Sequence, residues 1–511
     1  MEKFWQKNPS LGWLLRNAAQ CFPEKTALVF QEKRFSYQQL EIFSSRLAGF
    51  LKEKGIKAGD AVAVSCPNSP AFFCSYFAIL KIGATVVPIN LLLSAEEVGF
   101  VLSDSQVKAA IYWEGCGVDL STLQKNIPSL SLLVVANSSG KNGAITLEEI
   151  FQRDFPPVEI PSLDQKDHVA AVIYTSGTTG KPKGAMLTHR NLLFNVHSII
   201  SFLPLSESDI FLAVLPMFHA FGATCCLLVP VALGATVVAL PRFRPEEVAK
   251  TIKNHRVTVF MGVPSMYTLL AQMPEEQEID FSSLRFCISG GAALPVEILE
   301  KFEKRYGVLI YEGDGPTECS PVTSVNPVGE KRKIGSIGLP LPGVEMKIVD
   351  QLGRELPRGS IGEIVVRGEN VMKGYLHQKE ETEKSFFGEW FRTGDLGYQD
   401  QDGYFFIVDR MKDMIIVNGM NVYPRMIEEV LYRHPAVAEA AVVGKKHFLH
   451  GEVPRAVLVL KQGFSVTREE IIRFCRQHLG RHEIPAVIDF VKELPKTASG
   501  KIYKKALQKD S

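Results

Sequence analysis

Short apolar runs alternate with amphipathic stretches over roughly the first four hundred residues, and that alternation restricts the chain to a layered α/β fold. AVAVSC (61–66) and TVVPIN (85–90) read as buried strands, because uninterrupted apolar runs suit a parallel sheet covered on both faces. Helical patterns lie between such runs. Ser36 with Gln39 forms a capping-box signature. Leu40, Phe43, Leu47, Phe50 and Leu51 then share one helical face until Gly55 stops it. After Gly335 the texture changes: EMKIVD, GEIVVRG and YFFIVDR are short strands between Gly, Pro and Asp turns, the pattern of a more twisted β region. The YFFIVD strand ends in the charged segment Asp409-Arg410-Met411-Lys412, which predicts a boundary. Beyond it AVVG and RAVLVLK read as strands, and Thr467 with Glu470 opens another capped helix. The expected class is α/β, with a large N-terminal domain over 1–409 of mixed and parallel sheets layered with helices. It includes a β-rich subdomain at about 335–409 and is followed by a small α+β domain over 410–511.

A chain of 511 residues exceeds what one hydrophobic core organises, in keeping with that division. Lys plus Arg number 57 against 56 Asp plus Glu, so the basic surplus that nucleic acid draws is missing and no nucleic-acid partner is expected. The nine cysteines are scattered without a CxxC pair, which removes a zinc ribbon and a dithiol redox motif and suits a reducing compartment. MEKFWQKNPSLGW lacks the basic segment and apolar stretch of a signal peptide. The most membrane-like stretch, Phe221 to Pro241, is broken by Gly222, Pro230 and Gly234, whereas a span needs about 20 continuous apolar residues. It reads as a buried helix, a turn at Gly234 and a buried strand from Ala235 to Leu240. A soluble cytoplasmic protein without a transmembrane segment is expected; peripheral membrane contact and a homodimer are both compatible with the sequence.

Residues 170–184 read AAVIYTSGTTGKPKG. A buried strand ends at Tyr174-Thr175 and opens into hydroxyls, glycines and two lysines. Gly177, Gly180 and Gly184 let backbone approach a ligand closely. Their amides, with the hydroxyls of Thr175, Ser176, Thr178 and Thr179, supply donors for phosphate oxygens. Lys181 and Lys183 add charge that a triphosphate would attract. The spacing is not that of a Walker A loop, and Pro182 prevents a helix from starting there. The next helix is expected at Thr188, a good N-cap.

YTSGTTGKPKG closely resembles the signature of the AMP-forming adenylating (acyl-adenylate) superfamily, which includes acyl-CoA synthetases, firefly luciferase and peptide-synthetase adenylation domains. Six further motifs follow in the expected order: LPMFHAFG (215–222), ISGGAAL (288–294), DGPTE (314–318), FRTGDL (391–396), DRMKDMIIVNGMNVYP (409–424) and PKTASGK (495–501). Overall the chain is most similar to bacterial fatty-acid–CoA ligases. The resemblance implies ATP-dependent activation of a carboxylic acid to acyl-AMP with pyrophosphate release, then transfer to coenzyme A. Mg²⁺, ATP and coenzyme A are the implied cofactors and substrates.

The resemblance also implies roles for particular residues. Carboxylate attack on the α-phosphate brings two anions together, so the site must supply cations and fixed donors. Glu318, with Thr175, would hold Mg²⁺, and Thr317 would contact the α-phosphate. Gly290, Gly291 and Ala292 would border adenine, with Gly315 in the nucleotide-binding turn. Asp395 suits the ribose diol, since a carboxylate accepts two hydroxyl hydrogen bonds, and Arg410 reaches the ribose in relatives. Lys501 would be the catalytic ammonium between carboxylate and α-phosphate. Relatives swing a mobile C-terminal domain between the two half-reactions; Lys412 occupies the hinge position and Gly419 would line the channel for the pantetheine arm. Two departures stand out. Asp314 replaces the aromatic residue that often stacks on adenine, and would instead accept from the adenine amino group. Met426 stands where relatives often have Glu.

Amino-acid-activating relatives place an Asp near LPMFHAFG, where this chain has His219, Ala220 and Phe221. Phe221, Val263 and Met266 suit an apolar tail, whereas His219 reads equally as an acyl-pocket residue or a core histidine. A medium- or long-chain fatty acid is therefore favoured. The alternatives are an aryl-acid–CoA ligase and a stand-alone adenylation enzyme that loads a carrier protein.

Overall fold

The computed structural model describes residues 9–138, 144–175, 182–274, 279–497 and 500–508. Its large N-terminal part is built on two sheets. One has nine strands among the described residues, in the order Leu339–Pro340, Ser324–Val325, Ile310–Asp314, Phe286–Ser289, Val259–Gly262, Ile210–Ala213, Thr236–Ala239, Thr26–Phe30, Lys33–Ser36. The six from Ile310–Asp314 to Thr26–Phe30 run parallel. The other has seven: Gly374–Tyr375, Lys183–Thr188, Val169–Thr175, Thr85–Pro88, Ala61–Ser65, Ala109–Trp113, Leu132–Ala136. The predicted strands at 61–66 and 85–90 appear as Ala61–Ser65 and Thr85–Pro88, parallel neighbours with every residue but Ala61 buried. Burial on both faces is why their sequences do not alternate.

Local signals hold where they were strongest. Ser36 and Gln39 form a reciprocal capping box on the helix Tyr37–Glu53, and Thr188 with Asn191 does the same for His189–Phe202. Gly55 follows the first of these at φ 85°. The stretch from Phe221 becomes the helix Ala220–Ala223, a π-helical turn Thr224–Leu228, the helix Val229–Leu233, Gly234 at φ 76° and the strand Thr236–Ala239. Among the described residues no helix is long and apolar enough to cross a membrane. The helix Pro70–Lys81 is buried from Ala71 to its end. Its last side chain, Lys81, meets Glu41 at 2.6 Å, Ser44 at 2.7 Å and Ser45 at 3.0 Å, tying it to the helix Tyr37–Glu53.

The β-rich part is an antiparallel sheet of Glu345–Val349, Gly362–Arg367, Trp390–Gln399 and Phe386–Phe387, with Phe405–Arg410 also on Trp390–Gln399. The smaller C-terminal α+β part has its own sheet, Met420–Val422, Ile415–Val417, Gly451–Leu460 and Val437–His447, with Val487–Phe490 parallel to Gly451–Leu460. The helices Pro424–Tyr432 and Arg468–Arg476 bury Ile427, Leu431, Ile471 and Cys475 in a core separate from that of the N-terminal part. Thr467 and Glu470 cap the second helix as expected. Polar contacts join the C-terminal part to the rest: Arg425 donates its amide to Asp409 at 2.9 Å, and Lys461 stands 3.7 Å from Glu297.

Candidate active site

In a parallel sheet flanked by helices, ligands gather where strands end at their carboxyl edge. Three neighbouring strands, Val259–Gly262, Phe286–Ser289 and Ile310–Asp314, end at Val263, Gly290-Gly291 and the turn Gly315–Glu318. From the second sheet, Val169–Thr175 ends at Thr175. These four ends line one cavity of about 720 Å³, together with His219, Phe221, Arg410, Lys412 and Lys501. Asp314, Thr317 and Glu318 also face it. Residues scattered over more than three hundred positions of sequence thus meet in one place. Three expected residues lie off its wall: Ala292 is exposed, Gly419 sits in the turn of the hairpin Ile415–Val417/Met420–Val422, and Asp395 is buried behind Arg410. Met266 is buried without lining the cavity.

The charges are arranged around one ion pair. Asp395 and Arg410 are opposite each other on antiparallel strands, and Arg410 Nε lies 2.9 Å from Asp395 Oδ1. Asp395 holds the guanidinium firmly charged. Burial, with Asp395 nearby, pushes the Asp314 carboxyl up to about 6. Burial and the adjacent Arg410 bring the Lys501 ammonium down to about 8, and the same two causes lower Lys412. His219 is lowered to about 4 by burial and then by Lys501. Its ring is therefore neutral, and Nε2 has no hydrogen-bond partner among the described residues.

Several functional neighbours carry no sequence signal. Tyr375 donates to Glu318 Oε1 at 2.8 Å and so orients the carboxylate assigned to the metal. Lys183, read as a phosphate cation, is paired with Glu381 at 2.5 Å and lies over the Tyr375 ring. Gly184 also has a different reason from ligand approach. It lies in the strand Lys183–Thr188, where an added Cβ would come within 2.8 Å of Val172 on the partner strand. The strands Val169–Thr175 and Lys183–Thr188 pair antiparallel, with Thr175 opposite Lys183. Ser176, Gly177, Thr178, Thr179, Gly180 and Lys181 lie outside the described residues. Glu312 is buried one strand position from the site, accepting the amides of Leu294 and Gly335 at 3.3 Å each, and burial raises it to about 7. A carboxylate inside the apolar run VLIYEGD was the one available hint of it.

A family profile described as "AMP-binding enzyme" matches residues 15–376, and one described as "AMP-binding enzyme C-terminal domain" matches 426–501. The chain belongs to the AMP-binding enzyme family. As a member of it, the protein is an AMP-forming acid–thiol ligase. It is 38% identical over 527 aligned residues to a long-chain-fatty-acid–CoA ligase of Bacillus subtilis (strain 168), with 98% of this chain and 94% of that protein covered. Among solved structures it is similar to the anthranilate CoA ligase AuaEII in complex with anthranoyl-AMP, at TM-score 0.92 and 30% identity over 98% of this chain and 96% of that one. It is also similar to the o-succinylbenzoate CoA synthetase of Bacillus subtilis in complex with ATP and a magnesium ion, at TM-score 0.84 and 32% identity, covering 97% and 98%. AMP-binding enzymes with aliphatic and with aromatic acids in their names are thus both near relatives.

The donor set of this AMP-binding enzyme suits magnesium. No cluster of three or more His, Cys, Asp or Glu side chains able to hold a metal occurs among the described residues. Magnesium, however, keeps water and substrate phosphates as ligands and takes only one or two carboxylates. Glu318, oriented by Tyr375 on the cavity wall, meets that requirement.

Proposed function

We propose that this enzyme activates a medium- or long-chain fatty acid with ATP, releases pyrophosphate, and passes the acyl group from acyl-AMP to coenzyme A. The observation that carries this reading is the joining of two unlike surfaces in one cavity. Lys501, Arg410, Lys412, Thr317 and Glu318 line it together with the apolar side chains of Ile199, Leu203, Leu215, Phe221, Val263 and Val322. A carboxylate with an apolar tail fits across that junction, its head among cations and its tail against aliphatic walls.

In this reading Lys501 stands between the attacking carboxylate and the α-phosphate, where its charge counts most as the two anions close. Thr317 donates to the α-phosphate. Asp395 and Arg410 take the ribose, Asp314 the adenine amino group, and Gly290, Gly291 and Ala292 flank the base. Glu318 with Thr175 would hold magnesium, which supplies neutralising charge to the phosphates. The lysine must be charged, so kcat/KM for acid-dependent ATP–pyrophosphate exchange is expected to fall as pH rises through about 8. In Lys501→Arg that decline should disappear from the pH profile, because a guanidinium stays charged. A decline that persists there would assign it to another group.

Residues 410–511 act as the mobile domain, pivoting at Lys412. Lys412 follows the last strand of the β-rich sheet and precedes the hairpin whose turn is Asn418-Gly419, both at positive φ. Swung inward, that turn would bring Gly419 to the cavity mouth to admit the thiol arm.

An acid panel tests the substrate class. Medium- and long-chain fatty acids are expected to release pyrophosphate with kcat/KM at least about tenfold above aryl acids, the scale set by burying a few more methylenes. The reverse order would favour the aryl-acid reading, which the likeness to the anthranilate ligase supports. Offering coenzyme A and a holo-carrier protein in parallel identifies the acceptor thiol. If no acid elicits AMP formation, the whole reading fails.

A further inference from the structure

Lys501 rests on a surface from which side chains are missing. Gly291 has φ +82°, and a Cβ built on it would lie 2.9 Å from Lys501 Cε and 3.1 Å from Nζ. The residue before the lysine repeats the pattern from the other side. Gly500 also has φ +82°, and its Cβ would lie 2.9 Å from Ser265 Oγ and 3.3 Å from Val263 Cγ2. A Cβ would crowd these contacts, so each glycine offers bare backbone against which a neighbouring side chain rests, Lys501 on Gly291 and Ser265 on Gly500. Ser265 is the second residue of the helix Pro264–Ala271, which begins directly after the strand end at Val263.

Thr497, Gly500 and Lys501 are hydrogen-bonded to one another where they meet this surface. Thr497 accepts the amide of Gly500 through its carbonyl at 2.8 Å and that of Lys501 through its hydroxyl at 3.2 Å. Thr497 in turn donates its own amide to the Lys501 carbonyl at 2.7 Å. Thr497, Gly500 and Lys501 are tied to one another by these bonds, so a displacement of Gly500 carries Lys501 with it.

We propose that Gly291, Ser265 and Gly500 form a seat that positions Lys501 for the adenylation half-reaction. The three are positioning residues, and the seat rests on the role proposed above for Lys501. Ser265 allows a test that leaves both strained glycines intact. Its small side chain is what lets Gly500 come close, and in Ser265→Leu an added isobutyl group occupies that space. Because a misplacement of about 1 Å in a reacting group can cost on the order of a hundredfold, Ser265→Leu should lower acid-dependent pyrophosphate exchange by about tenfold to a hundredfold. Thioester formation from synthetic acyl-AMP, which does not use the seated lysine, should stay within about twofold of wild type, well inside that range. Ser265→Ala, which leaves the space open, should exchange at the wild-type rate.

Equal loss in both half-reactions for Ser265→Leu would mean a general structural effect and would overturn the seat. So would wild-type exchange in that variant, or a loss in Ser265→Ala as large as in Ser265→Leu. Measuring Lys501→Ala alongside separates the levels. If it loses exchange while Ser265→Leu does not, the seat alone is wrong. If it retains exchange, the role of the lysine and the seat fall together.

Discussion

Lys501→Ala should abolish acid-dependent pyrophosphate exchange and leave thioester formation from preformed acyl-AMP largely intact. The expected drop in exchange is about a hundredfold to a thousandfold, the range measured when one charge-stabilising group is removed from a transition state. The cause is electrostatic. Asp314, Asp395 and Glu318 already place three carboxyl groups in or beside the cavity, and an acid substrate and a triphosphate would add more anions. Arg410 is already engaged by Asp395 at 2.9 Å. Lys501 is the cation placed against the Gly290-Gly291 edge, where the reacting groups would meet. Separate assays of the two half-reactions check this. Equal loss in both would count against the assigned role.

Gly315→Ala is expected to disable both half-reactions and to destabilise the fold. A Cβ at Gly315 would lie 1.5 Å from the Pro321 carbonyl oxygen and 2.6 Å from its carbon, a contact that no rotamer relieves because both partners are backbone. The turn from Gly315 through Pro321 must open, and it carries Thr317 and Glu318. Crowding of this kind costs about 1–3 kcal/mol, so a lower melting temperature should accompany the loss of activity. Gly419 provides the contrast. Nothing lies within 4 Å of its would-be Cβ, so Gly419→Ala should lower the melting temperature only through the strain of an L residue at φ +78°, about 1 kcal/mol, with no clash behind it. A Gly315→Ala protein with wild-type stability and exchange would show that the turn is not packed as described.

Features encoded within a few residues were legible in the sequence. The capping boxes at Ser36 and Thr467 and the N-cap at Thr188 depend on a hydroxyl close to the amides it caps, and each forms. The strands Ala61–Ser65 and Thr85–Pro88 follow from unbroken apolar runs, and the motifs around Gly290, Thr317 and Arg410 do converge on one cavity. Features set by distant partners were not legible. Glu381 pairs with Lys183 across 198 positions, and Tyr375 reaches Glu318 across 57. No spacing rule links such residues, because their meeting is decided by how one sheet packs on another. Gly184 shows the same limit: its glycine is required by hairpin register, which the loop composition concealed.

One consequence concerns the strand Phe405–Arg410. It terminates opposite Asp395, and Lys412 follows two residues later. The proposed sugar clasp and the proposed swivel are thus two residues apart, the swivel lying in a turn that Arg410 closes by accepting the amides of Asp413 at 3.0 Å and Met414 at 3.2 Å. Loosening the clasp by mutation should also retune the proposed swivel, so affinity for nucleotide and the tempo of domain turnover are expected to change together. An Asp395 variant can therefore alter the overall cycle even at saturating ATP.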